Sequence, residues 1–176
     1  LKIINIGRFV DQKDQITILR ALSLIRNKIN FEFVLVGRGI LKENLLNFVY
    51  ENKLQNNVKF INFHQNPYSF LRQSDLFVLS SKFEGLPNVL LESATLKKYI
   101  ISTDCPTGPK EILINGKGGT LYKIGDYKKL AYHLLNFKKN QSKIKKKINL
   151  TYNNLYRFDS DKNLKKYYKF ILNNSR

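Results

Sequence analysis

Alternation constrains this chain more than any other feature. Six short apolar runs, at residues 3–6, 31–36, 58–61, 75–79, 99–102 and 119–122, take turns with segments of helical character. In 14–28 the apolar residues Ile18, Leu19, Leu22 and Ile25 form one stripe at a period near 3.6. In 41–52, Leu45, Phe48 and Val49 do the same. Shorter helical stretches are expected at 67–73, which opens on a proline suited to a first helical turn, at 88–97 and at 108–113. From Asp126 the pattern is helical to the end, with breaks expected near Asn140 and Phe158. Strand and helix repeated this often, joined by right-handed crossovers, predict an α/β fold. The expected architecture is a Rossmann-like, doubly wound parallel sheet of about six strands, helices on both faces, plus C-terminal helices.

The 176 residues are read as one domain, long enough to bury a core. No apolar run approaches the roughly 20 residues of a membrane span, and the N-terminus enters a strand pattern with no signal-peptide pattern before it. The chain holds no methionine and opens on Leu1-Lys2-Ile3-Ile4, already inside a strand. It is therefore expected to be a piece of a longer protein whose missing part is N-terminal. A single cysteine, Cys105, excludes an internal disulfide and is compatible with a reducing compartment.

Open α/β sheets bind ligands beyond the carboxyl ends of their strands, so the loops there carry the functional reading. After the first strand come Gly7 and Arg8, then Lys13 at the mouth of the next helix. Glycine lets backbone approach a ligand, arginine offers a planar fork of donors, and a helix N-terminus favours an anion. After the second strand stands Gly37-Arg38-Gly39, which lacks the third glycine of a G-x-G-x-x-G fingerprint and the Gly-Lys-Ser/Thr of a P-loop. A tight turn is the expectation for it. After the fourth strand, Glu84-Gly85-Leu86-Pro87-Asn88 leads into a helix that carries Val89 and Glu92. Seven residues separate the two glutamates. Glu84 is suited to accept hydrogen bonds from sugar hydroxyls, Glu92 to hold a ribose diol. The apolar run before Glu92 predicts a buried helix, where a carboxylate needs a partner.

These stretches, with 74–81, 60–68 and 103–113, resemble the C-terminal domain of family 4 glycosyltransferases of the GT-B fold (glycosyl transferases group 1), over about residues 1–135. The resemblance implies a nucleotide-sugar donor, UDP-linked by preference, bound in a cleft that faces an N-terminal acceptor domain absent from this chain. It implies a retaining transfer of a hexosyl or N-acetylhexosaminyl group to a glycan or lipid-linked acceptor in surface polysaccharide synthesis. The place of work would be the cytoplasm or the inner face of the membrane. Arg8 and Lys13 match the basic pair on the donor pyrophosphate, Glu92 the ribose ligand and Glu84 the group near the donor sugar. Backbone from Leu86 to Val89 matches the amides on the distal phosphate, and backbone near Phe63 and His64 lies at the base. No cofactor and no metal are implied, and the fragment alone would be inactive. Asn62 stands where the family usually has glycine, and Ser93-Ala94-Thr95-Leu96-Lys97-Lys98 replaces an Ala-rich stretch ending in glycine.

The rival reading is a non-catalytic basic module. Net charge is +18, and residues 123–176 hold 15 Lys/Arg against 3 Asp. Such helices suit an anionic membrane surface better than nucleic acid, and also suit plain solvation. A third reading is a degenerate relative that binds a nucleotide-sugar without turning it over. Asp159-Ser160-Asp161 looks like a metal-binding DxD but is read as a helix cap. His64 and His133 are too isolated for a metal pair, and Cys105 has no neighbouring base. Tyr156, Leu164, Tyr167, Tyr168 and Ile171 are expected to lack the surface that the missing domain would offer.

Overall fold

The computed structural model describes residues 1–174. Six strands, β1 (Lys2–Ile6), β2 (Glu32–Val36), β3 (Val58–Ile61), β4 (Leu76–Leu79), β5 (Tyr99–Thr103) and β6 (Thr120–Tyr122), form one sheet in the order β3-β2-β1-β4-β5-β6. All five pairings are parallel. The helices are α1 (Gln15–Ile25), α2 (Lys42–Glu51), α3 (Tyr68–Gln73), α4 (Asn88–Thr95), α5 (Pro109–Ile112), α6 (Tyr127–Leu135), α7 (Gln141–Asn153) and α8 (Ser160–Asn174). The strand order reverses between β1 and β4. That is the switch point at which doubly wound sheets open a crevice.

The period of two along each strand splits the core into two layers. Ile3, Leu76, Val78, Tyr99 and Ile101 face one way and pack with Ile18, Leu22, Leu130 and Leu134 of α1 and α6. Ile4, Phe77, Leu79 and Ile100 face the other way and pack with Leu71, Leu90, Ala94 and Ile112. Central β4 and β5 are buried along their whole length, so their sequences Leu-Phe-Val-Leu and Tyr-Ile-Ile-Ser-Thr show no polar alternation.

At the switch point the ladder between β1 and β4 runs through Ile3–Leu76 and Ile4–Phe77. One residue on, the buried Asn5 side chain takes over and donates to Val78 O at 2.8 Å. A side chain thus replaces a backbone rung where the two strands part.

The C-terminal helices break at short 3-10 turns, Lys138–Asn140 and Leu155–Phe158, where breaks are expected. Thr151 on α7 donates to Gly118 O at 2.7 Å, and Lys147 donates to Gly116 O and Gly119 O. The loop before β6 is glycine-rich for this reason: a Cβ on Gly118 would lie 1.9 Å from Thr151 Oγ1. Helix α8 buries none of its described residues, and Tyr156, Leu164, Tyr167, Tyr168 and Ile171 are all exposed. Asp159 caps it by accepting from Lys162 N at 2.9 Å, in keeping with the cap reading of that segment. No helix among the described residues is long and apolar enough to cross a membrane.

Candidate functional site

Three loops meet beyond the carboxyl ends of β1, β2 and β4. The first two run side by side: Gly7 N donates to Val36 O at 3.0 Å and Phe9 N to Arg38 O at 2.9 Å. Their glycines are required by closeness. A Cβ on Gly37 would sit 2.0 Å from Gly7 O, and one on Gly39 would sit 2.3 Å from Phe9 O. The tight-turn expectation for Gly37-Arg38-Gly39 is thereby corrected: the segment is a close passage of two backbones. The third loop is backed by the turn after β5. There Gly108, at φ +82°, presses on the 84–87 loop so closely that a Cβ would meet Gly85 O at 2.2 Å. Thr107 donates to Glu84 O from the same turn.

Between these loops lies a cavity of about 510 Å³. Its walls include Gly7, Arg8, Gly37, Arg38, Phe63, His64, Val89 and Glu92, eight of the residues expected from sequence, together with Gln65, Pro67 and Tyr68. Arg38 lies over the Phe63 ring at 5.2 Å, and that ring is 60% exposed. Arg8 is exposed and, among the described residues, its guanidinium has no ion-pair or hydrogen-bond partner. Glu92 is half-buried on the same cavity and likewise has no hydrogen-bond partner. A partly desolvated carboxylate without a donor is costly, and an exposed guanidinium keeps its fork of donors open, so both are receptive to a ligand. The crevice thus offers an aromatic edge, an acceptor and a cationic fork along one elongated space.

Lys13 and Glu84 are not on that cavity wall. Lys13 Nζ donates to Glu84 Oε1 at 2.6 Å, with side chains 18% and 8% exposed. Ser81 Oγ donates to the same oxygen at 2.6 Å, and Thr103 Oγ1 fixes Ser81 by donating to its carbonyl at 2.7 Å. Further links stitch the β1 and β4 loops together across the switch point. Ser80 Oγ donates to Lys13 O at 2.7 Å, Gln12 Nε2 to Phe83 O at 2.9 Å and Lys82 N to Gln12 O at 2.8 Å. The stem of Lys13 runs behind Gly7, where an added Cβ would be 3.8 Å from its Cδ and Cε.

Gly85, Leu86, Pro87 and Asn88 lead into α4, whose first turn has no side-chain cap; Leu90 N donates to Pro87 O at 2.9 Å, so the N–H groups nearest the helix start are those of Asn88 and Val89. Asn88 and Glu92 also line an adjoining cleft of about 590 Å³ on the α3 side. A larger cleft, about 650 Å³, lies at the β6 edge beside α6 and α7, far from the switch point. Doubly wound sheets take their ligands at the switch point, so the crevice there is the stronger candidate despite its smaller volume.

Ser81 and Thr107 behind the Glu84 loop, and Gln65, Pro67 and Tyr68 on the cavity wall, are the residues of the candidate site that sequence reasoning did not single out. The Ser80-Ser81 pair at the end of a fully buried strand was the available signal, since buried hydroxyls must find acceptors. Cys105 is buried near this network, and burial pushes its thiol pKa up, so it holds its proton rather than serving as a thiolate. Among the described residues no three His, Cys, Asp or Glu side chains converge as a metal-holding group.

A parallel sheet in this order, with a crevice at its switch point, defines a Rossmann-like domain. The model of the family "Glycosyl transferases group 1" matches residues 1–155, and the chain belongs to that family. It is 43% identical over 111 residues to an uncharacterized glycosyltransferase of Methanocaldococcus jannaschii, covering 62% of this chain and 27% of that protein. It is 31% identical over 122 residues to the Campylobacter jejuni N-acetylgalactosamine-N,N'-diacetylbacillosaminyl-diphospho-undecaprenol 4-alpha-N-acetylgalactosaminyltransferase, covering 69% of this chain and 33% of that one. In fold it is similar to Staphylococcus aureus TarM, solved with UDP among its ligands (TM-score 0.88, 19% identity, 96% of this chain, 34% of that chain). It is also similar to Anabaena HepE, solved with UDP (TM-score 0.79, 20% identity, 89% and 44%). These likenesses establish the GT-B glycosyltransferase fold. The chain spans about a third of the length of the curated relatives it matches.

Proposed function

We propose that this chain is the donor-binding, C-terminal domain of a retaining family 4 glycosyltransferase, and that it holds a UDP-sugar in the crevice beside β1 and β4. The observation that carries this reading is the pairing, in one cavity, of a partnerless arginine (Arg8) with a partnerless half-buried carboxylate (Glu92), flanked by an exposed aromatic ring (Phe63). A nucleoside diphosphate needs those three things: a cation for phosphate, an acceptor for ribose hydroxyls and a surface for the base. In this reading the base lies near Phe63 and His64, Glu92 accepts from the ribose, and Arg8 with the α4 N-terminus holds the diphosphate. When the bond from the sugar's anomeric carbon to the diphosphate breaks, the leaving charge develops against positioned donors, which lowers the barrier without a metal.

The sugar is hexosyl or N-acetylhexosaminyl, and the acceptor a glycan or a lipid-linked saccharide. The Campylobacter relative's name and the UDP complexes of the structural neighbours support that choice. An N-terminal domain outside this chain supplies the acceptor site, so the chain alone binds donor without transferring sugar. The basic helices α6 to α8 rest against the anionic inner face of the membrane, each lysine near that surface adding about 1 kcal/mol.

Calorimetric titration with UDP, GDP and ADP tests the donor reading. UDP is expected to bind at sub-millimolar concentration. Arg8→Ala should weaken it about tenfold or more, the value of a charge-assisted hydrogen bond. Glu92→Gln should weaken UDP but leave inorganic pyrophosphate unaffected. Absence of nucleotide binding at millimolar concentration by a folded chain would sink the proposal.

A further inference from the structure

We propose that the cleft at the β6 edge is a second binding site, which takes the phosphate group of an anionic ligand between His133 of α6 and Lys143 and Lys147 of α7. It shares no wall residue with the crevice at the switch point, so it stands independently of the donor reading.

Three observations carry this. First, the charge of the cleft is one-sided. Lys110, Lys143 and Lys147 line it against one carboxylate, Asp104, and Lys110 already engages that carboxylate at 3.3 Å. Lys143 and Lys147 stand one turn apart on α7, a spacing at which like charges repel. Neither joins an ion pair among the described residues. Second, Lys147 is held in place. Half-buried, it donates to Gly116 O at 2.9 Å and to Gly119 O, neutral acceptors that supply no countercharge and leave one N–H of the ammonium over. Burial, with the Lys143 charge beside it, pushes its pKa down, the mark of a place where an anion would be stabilised. Third, the His133 Nε2 is closed to water and, among the described residues, has no hydrogen-bond partner. Burial, then the Lys129 and Lys147 charges, hold that ring below its ordinary pKa, against Asp126.

One oxyanion answers all three: it faces both ammonium groups and accepts from the imidazole. Buried Ile101, Phe137 and Ile144 give the cleft an apolar floor, on which charge-assisted hydrogen bonds gain strength. Donors arriving from two helices suit an anion with several acceptor oxygens. A phosphate monoester has three such oxygens and close to two charges, and lysine serves it as a point charge. A carboxylate has fewer of both.

The chain has two histidines, His64 in the switch-point crevice and His133 here, so their ring NMR signals report the two sites separately. Titration of the unmodified chain with inorganic phosphate should shift the His133 signal to saturation in the millimolar range, with acetate much weaker. Lys143→Gln alters an exposed side chain that bonds nothing among the described residues, and it should weaken phosphate about fivefold. Lys145→Gln removes the same charge from the opposite side of α7 and should change little. Phosphatidylcholine vesicles with and without phosphatidic acid identify the source of the phosphate. If Lys143→Gln costs binding to the acidic vesicles more than Lys145→Gln does, the phosphate is a lipid headgroup. If the two variants differ only towards soluble phosphate, it belongs to a soluble ligand. The site is overturned if the His133 signal does not saturate, if acetate matches phosphate, or if the two variants behave alike in both arms.

Discussion

Replacing Gly37 by alanine is the sharpest probe of how the crevice is built. An alanine Cβ at this position would lie 2.0 Å from Gly7 O and 3.1 Å from Phe9 Cε1. Contacts under 3.0 Å do not occur for real Cβ atoms, so the β1 and β2 loops must part by at least about 1 Å. The neighbour is backbone and cannot rotate away. The φ of +153° adds strain for any L side chain. Three hydrogen bonds flank the contact: Gly7 N to Val36 O, Phe9 N to Arg38 O and Gly37 N to Ile61 O, at 3.0, 2.9 and 2.9 Å. Losing one or two of them at about 1 kcal/mol each, on top of about 1–3 kcal/mol of overpacking, gives roughly 3–5 kcal/mol. In a chain of this size that lowers the melting temperature by on the order of 10 °C. Arg8, carried on the displaced loop, should lose its place, and UDP affinity should fall with it. Urea denaturation followed by far-UV circular dichroism, paired with UDP calorimetry, measures both. Gly85→Ala is the control: it lies in the same site, yet a Cβ there meets nothing within 4 Å. If Gly37→Ala and Gly85→Ala behave alike, the close passage does not hold the crevice together and the reasoning is refuted.

Two further outcomes are expected. Burial raises the Asp14 carboxyl above its ordinary 3.8, against the Thr17 hydroxyl and the Lys82 and Arg20 charges that pull it down. The folded state therefore holds this proton more tightly than the unfolded one, and the associated stability is present below pH 3.8 and lost as pH rises through the folded pKa. Asp14→Asn keeps an acceptor for Thr17, tolerates the left-handed φ of 46° and should gain on the order of 2 °C in melting temperature at pH 7. The gain should close near pH 3, and a pH-independent difference would contradict the assignment. For the basic helices, binding to vesicles with anionic lipid should fall steeply between low and physiological salt while neutral vesicles are ignored. Equal, salt-insensitive binding to both would leave α6 to α8 as solvated surface.

The layered fold was legible because periodicity is local. Each of the six expected apolar runs overlaps a strand of the sheet, and the break points near Asn140 and Phe158 fall where α7 begins and α8 follows. The helix carrying Glu92 ends at Thr95 rather than at 97, because Lys97 turns left-handed at φ 53° and stops it. The site was legible only in part. That Gly7, Arg8, Phe63 and Glu92 share a cavity follows from the strand order, which alternation narrows to a doubly wound sheet without fixing it. The Lys13–Glu84 pair does not follow, since it spans 71 positions and depends on how high each loop stands above the sheet. Likewise, Gly37 reads as a turn until the neighbouring backbone is known. A glycine forced by its own dihedral angles and one forced by a neighbour's carbonyl look alike in sequence.

Charge makes the same point about scale. A net +18 invites the thought that any anion will be drawn to any face, yet the ion pairs are unevenly placed. Lys13 is paired with Glu84, Lys82 with Asp11, Lys59 with Glu32 and Lys110 with Asp104, all within residues 1–122. Among the described residues, no lysine after 122 joins an ion pair. The basic excess is thus concentrated on the helices beyond β6, while the crevice keeps only Arg8 and Arg38 on its wall, facing one carboxylate. On the proposed donor reading, selectivity in the crevice rests on geometry: two guanidinium forks, an aromatic ring under one of them, and Glu92 to reject an anion that carries no hydroxyls for it. Long-range attraction from the distant lysines decays within about 8 Å at physiological salt and hastens encounter without choosing the ligand. Neutralising lysines on α7 should therefore change the salt dependence of association and leave the preference for UDP over pyrophosphate intact, whereas Glu92→Gln should erase that preference at unchanged net attraction.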